Sequence, residues 1–158
     1  MTPAISAVSK AKVHYVIHEY CHDPSSESYG LEAADKLEIA QERVFKTLLV
    51  SLGGKELAVG VIPVSSMLNM KLFAKAVGAK KASMAEASQV ERSSGYVLGG
   101  VSPIGQRKKL KTVVDSSALK HATIFVSAGR RGLEIELKPQ DLLSLTTGEF
   151  AQIGQKSS

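Results

Sequence analysis

A chain of 158 residues, 44% apolar and 22% charged, has the length and balance of one soluble domain with a single hydrophobic core, and no apolar run approaches the ~20 residues of a bilayer span. A net charge of +5 and a pI near 9.3 suit a polyanionic partner without specifying one, while 5% aromatics and no Trp argue against a broad base-stacking platform. One cysteine, Cys21, excludes an intrachain disulfide, and Met1-Thr2-Pro3-Ala4-Ile5 has no basic-then-apolar secretory pattern, so a cytoplasmic location is expected.

Thr2 is placed to cap a first helix with Pro3 at its first position. Val13 to His18 reads as a strand, and Cys21 to Ser28 as a polar loop. Leu31, Ala34 and Leu37 fall at helical spacing, which predicts a helix over 30–38. Val44 to Val50 is the strongest strand signal, and Gly53-Gly54 turns it into a second strand, Leu57 to Val64. Asn69 caps a helix that ends before Gly78. Ser83 with Glu86 fits a capping box opening another helix that ends near Gly95. Gly99-Gly100-Val101-Ser102-Pro103-Ile104-Gly105 is too rich in Gly and Pro for a regular element and is expected to be a shaped loop. Strands are expected at about 110–115, 122–127 and 133–137, the last pair joined by Gly129-Arg130-Arg131-Gly132, and Pro139 begins a short helix. The mixture predicts an α+β fold, a mixed and mainly antiparallel sheet with flanking helices. One domain is expected over 1–154, with 155–158 as a loose tail.

Three features could carry chemistry. Lys46 interrupts an apolar strand, and alternation puts it on one face with Val44, Leu48 and Val50. An unpaired lysine there is costly to bury, so it either snorkels from an edge strand or holds an ammonium at the rim of a pocket. The 99–105 loop is either a tight turn or a set of backbone N–H groups that meet a phosphate or an oxyanion; it lacks the P-loop pattern. Arg107-Lys108-Lys109, with the pairs Lys80-Lys81 and Arg130-Arg131, forms either a solvated surface or a phosphate-binding patch. Tyr20-Cys21-His22-Asp23 invites a catalytic reading, but neighbours on an extended strand point to opposite faces. His14 and His18 sit on a strand and His121 stands alone, so no metal site is expected, and no cofactor motif is present.

Phe45-Lys46-Thr47-Leu48-Leu49-Val50 and the long segment Ser94 to Lys109 together resemble the YbaK/EbsC family. Met1-Thr2-Pro3-Ala4 and the stretch Val126-Ser127 to Arg131-Gly132-Leu133 share the resemblance, which runs nearly end to end. It implies a Cys-tRNA(Pro) deacylase, related to the editing domain of bacterial prolyl-tRNA synthetases, with a sheet curled toward a barrel. It further implies catalytic roles for Lys46, Gly99 and Gly100 and substrate contacts at Tyr20, Tyr29, Ser102 and Ser127, with Arg107, Lys108 and Lys109 on the tRNA. No cofactor is implied. The partners implied are mischarged tRNA(Pro) and prolyl-tRNA synthetase, and the substrate's own thiol is the implied nucleophile. Editing of another small residue such as alanine, with water as nucleophile, and a non-catalytic RNA-binding module are the competing readings. Two positions depart from the family pattern: Tyr29 replaces a usual Phe, and Ala128 replaces a usual glycine. A glycine requirement at position 128 would strain the alanine and shift Ser127.

Overall fold

The computed structural model describes residues 1–26 and 28–156; Glu27 of the polar loop and Ser157-Ser158 of the expected tail lie outside the described residues. The central element is β2 (Phe45–Gly53), whose β-branched and aliphatic residues favour a pleated, buried strand. It turns through Gly53 and Gly54, both with positive φ, into β3 (Glu56–Pro63), which runs antiparallel to it. The last six residues of β3 are buried because a strand lies on either side and both faces are covered. Its second neighbour, β6 (Lys111–Asp115), is parallel, and β9 (Glu149–Ala151) pairs in parallel with β6. A two-residue strand, β5 (Ser83–Met84), closes the other edge against β2.

A second, three-stranded antiparallel sheet has the order β1 (Tyr15–Glu19), β8 (Leu133–Leu137), β7 (Ile124–Ser127). An isolated parallel bridge from Val44 to Phe125 joins it to the start of β2. The two sheets curl toward each other without closing, and the main apolar core lies between them, built from residues such as Phe45, Leu49, Val61, Val126 and Ile135. A smaller core packs α3 (Met70–Val77) against the other face of the five-stranded sheet through Phe73, Val50 and Ile62. The α+β expectation thus holds.

Local chemistry explains most boundaries. In α1 (Pro3–Ala11) Thr2 caps by accepting the Ile5 N–H at 3.2 Å. Asn69 does the same for α3 with the Leu72 N–H at 3.0 Å, and Gly78 ends it at φ +73°. The helix α4 (Ala87–Ser94) starts later than Ser83 suggests. Ser83 is consumed by pairing with Ser51 in β5; Glu86 is the cap, and its N–H donates to Gln89 Oε1 at 3.1 Å. Gln155 and Lys156, expected in a loose tail, instead form β10 (Gly154–Lys156) and pair with Met67 and Ser66 of β4 (Ser66–Leu68). The start of α1 is wedged between two loops. Thr2 Oγ1 donates to the Ala128 carbonyl, and a Cβ on Gly105 would lie 2.8 Å from the Pro3 carbonyl carbon.

Candidate functional site

The inner wall of the site follows from strand alternation. Ser127 on β7 and His18 on β1 are both in register with Glu134 on β8, so Ser127, Glu134 and His18 share a face. Phe125, two residues before Ser127, is on that face too. It packs under Ala33 and Ala34 of α2 (Tyr29–Lys36), so the helix covers a side that the pattern Leu133-Glu134-Ile135-Glu136-Leu137 marks as polar. Tyr20 follows β1, and its N–H donates to the Gly132 carbonyl at 3.0 Å, which holds its ring at the same wall.

A cavity of about 600 Å³ opens between this wall, β2 and the turn after α4. Lys46, Tyr20, Tyr29, Gly99, Ser127 and Glu134 all line it. Its remaining lining is largely aliphatic, including Val44, Leu48, Val90 and Leu98. Lys46 is half-buried and makes no ion pair among the described residues; burial holds its amine below the usual lysine range. Glu134 is only 6% exposed, and burial pushes its carboxyl up to about 8, so it carries a proton at neutral pH. Burial, and then the Glu134 charge, push the Tyr20 hydroxyl up to about 12. Thr47, also in the lining, has its Oγ1 buried without a hydrogen-bond partner.

The glycine loop meets the cavity at Gly99, which has φ +87°. A Cβ there would lie 2.5 Å from Arg131 Nε and 2.7 Å from the Tyr29 ring, so only glycine fits. Arg131 spans the mouth: its guanidinium carbon sits 4.1 Å from the Tyr29 ring centroid, and its Nη2 donates to the Leu98 carbonyl at 2.9 Å. The cation–π contact at the rim uses the Tyr29 ring, which the usual Phe would also supply.

Several sequence assignments move. Gly100 does not line the cavity, and its N–H is engaged by the Val97 carbonyl at 3.0 Å. Its lack of a side chain serves packing, since a Cβ would lie 2.8 Å from Arg130 Cα. Ser102 is fully buried away from the cavity lining, with its hydroxyl accepting the Ile104 N–H at 3.2 Å; it braces the loop. Arg107, Lys108 and Lys109 are exposed and outside this cavity; the two lysines edge a separate hollow of about 240 Å³ beside Ala7 and Gln106. Ala128 is not among the residues with positive φ; Gly129 takes that role at φ +109°, so Ser127 is not displaced. Glu134 escaped sequence reasoning, since only the covering helix distinguishes it from a solvent-facing strand glutamate. The described residues contain no helix long and apolar enough to cross a membrane.

A family model described as the aminoacyl-tRNA editing domain matches residues 24–145. A protein of Enterococcus faecalis, provisionally named a Cys-tRNA(Pro)/Cys-tRNA(Cys) deacylase, EbsC, is 41% identical over 157 residues, covering 98% of this chain and 94% of its own. A Bacillus subtilis protein without assigned function, YwhH, is 27% identical over 111 residues, 70% of each chain. The fold matches a crystal structure provisionally described as a trans-editing enzyme for prolyl-tRNA synthetase, with a TM-score of 0.83 at 21% identity, covering 100% of this chain and 99% of that one.

Proposed function

As a member of the aminoacyl-tRNA editing domain family the chain is an aminoacyl-tRNA deacylase, and we propose that its substrate is Cys-tRNA(Pro), cleared in trans after release from prolyl-tRNA synthetase. The observation that carries this reading is the convergence of Lys46 and Gly99 on one largely apolar cavity of about 600 Å³. That volume takes a small aminoacyl group with its terminal ribose.

In this reading the substrate thiol attacks its own ester carbonyl. A sulfur–carbon bond forms, the bond to the ribose oxygen breaks, and the thiol proton passes to that oxygen. Water then opens the resulting four-membered thioester to free cysteine. The protein supplies placement and charge. The Lys46 ammonium stabilises negative charge as it builds on the ester, and the Gly99 backbone approaches the same group. Ser127, Tyr20 and the protonated Glu134 offer hydrogen bonds along the inner wall, and Tyr29 closes the outer one. Arg107, Lys108 and Lys109 are assigned to more distant phosphates of the tRNA body, outside the cavity. One domain, which includes β10 through Lys156, carries the activity, in the cytoplasm where tRNA is charged.

The test is a deacylation panel with Cys-tRNA(Pro) and Ala-tRNA(Pro), with and without prolyl-tRNA synthetase, using wild type and Lys46→Ala. Faster hydrolysis of the cysteinyl substrate, lost in the variant, is expected. A preference for alanine would make water the nucleophile. Binding of tRNA with no ester cleavage at high protein concentration would leave an RNA-binding module.

A further inference from the structure

The mouth of the cavity carries a charge that neither Lys46 nor the inner wall explains. Arg130 and Arg131 form the exposed tip of the β7–β8 turn, both line the cavity edge, and neither makes an ion pair among the described residues. Arg131 is also held in place. Its guanidinium carbon lies 4.1 Å from the Tyr29 ring centroid and its Nη2 donates to the Leu98 carbonyl at 2.9 Å, which leaves other N–H donors of its fork uncommitted. Beside it, apolar side chains face water: Val97 is 60% exposed, Met84 48% and Leu98 43%. Met84 and Leu98 belong to the cavity edge itself. A fixed cationic fork beside exposed aliphatic surface matches a ligand that combines a phosphodiester with a flat apolar ring.

We propose that the Arg130–Arg131 turn is the seat of the phosphodiester behind the last nucleoside of the RNA, with the terminal bases resting on Leu98, Val97 and Met84. This deepens the deacylase reading and rests on its tRNA substrate. It also assigns the end of the RNA to a different element from the 107–109 run. Arg131 then acts as a positioning residue: it fixes where the ester enters, and its clasp on Tyr29 and Leu98 is the geometry that makes the phosphate register with the cavity.

The experiment has two readouts. In the first, a fluorescent single-stranded RNA ending in CCA is titrated at several salt concentrations against wild type, Arg131→Ala, Arg131→Lys and the charge-matched Lys120→Ala. Arg131→Ala is expected to weaken binding about tenfold and to lower the slope of log affinity against log salt by ~0.7, one phosphate contact on a single strand. Arg131→Lys should keep the slope and lose part of the affinity, because an ammonium holds charge but not the fork. Lys120→Ala should match wild type. In the second, hydrolysis is compared on aminoacyl-tRNA and on the aminoacyl ester of adenosine, which has no phosphate. Arg131→Ala should raise KM on the first about tenfold more than on the second. Equal losses on both substrates would make Arg131 a brace for the cavity wall, and unchanged RNA binding would place the phosphate elsewhere; either overturns the proposal. Wild type that binds the RNA through Arg131 but cleaves neither ester would instead sink the deacylase chemistry and leave this seat standing.

Discussion

Ser127 on β7 and Glu134 on β8 stand opposite each other in register, so a hydroxyl and a proton-bearing carboxyl form adjoining parts of the cavity wall. The buried carboxyl makes stability depend on pH in an uncommon direction for an acid.

Below about pH 4.5 Glu134 is protonated in both folded and unfolded chains, and its burial carries no ionisation penalty. As pH rises from there to about 8, the unfolded chain releases this proton while the folded one keeps it, so this group's contribution to stability falls. Glu134→Gln is therefore expected to gain on wild type across that window, by ~1.4 kcal/mol per unit of displaced pKa and a few kcal/mol at most. Thermal melts of both proteins at about pH 5 and about pH 8 check this; a difference that does not move with pH would mean the carboxyl is well solvated.

Lys46→Met should separate chemistry from folding. The amine has no protein partner among the described residues and is held down by burial, so replacing it with an apolar chain of similar length leaves stability within about 0.5 kcal/mol of wild type or above it. Deacylation should fall ~100-fold or more, the scale for removing one charge-stabilising group. Melting curves and single-turnover rates read the two effects separately.

Gly99→Ala and Gly54→Ala share a backbone penalty but not a steric one. Both positions have positive φ, which costs an alanine roughly 1–2 kcal/mol. At Gly54 a Cβ meets nothing within 4 Å, whereas at Gly99 it strikes Arg131 and Tyr29. Denaturant midpoints should fall for both, while catalytic efficiency should fall about tenfold or more only for Gly99→Ala. Equal activity would show that the clasp at the mouth is dispensable.

Ser102→Ala tests the brace. Its hydroxyl accepts the Ile104 N–H, and Tyr96 donates to the Ile104 carbonyl at 2.6 Å, so two buried bonds fix the loop behind Gly99. Losing the serine acceptor should cost ~1–3 kcal/mol of unfolding free energy. The kcat for deacylation should stay near wild type at temperatures where the variant is folded, which a substrate-binding serine would not allow.

The parts of the site legible in the sequence were those that break a local rule. Lys46 stands out because a cation sits in an apolar strand, and Gly99 because the loop cannot be helix or strand. Glu134 obeys the local rule: its alternation is that of a half-exposed strand, and only the placement of α2, a long-range event, reverses its environment. Ser102 and Gly100 fail in the opposite way, because a motif names a segment without saying which of its groups are spent on holding it together. In the fold, β2 and β3 are readable from the strand signal of Val44 to Val50 and a Gly-Gly turn. The strands β4, β9 and β10, of three residues each, are not, since their pairing is set by distant partners rather than by their own pattern.

The wedge at Thr2 and Pro3 has a consequence for how the molecule comes into being. The start of α1 is tied to the carbonyl of Ala128 and lies close against Gly105, both of which are made long after it. A nascent protein therefore has no finished hollow until the β7–β8 hairpin has emerged, and the Thr2 anchor of α1 forms no earlier than that hairpin.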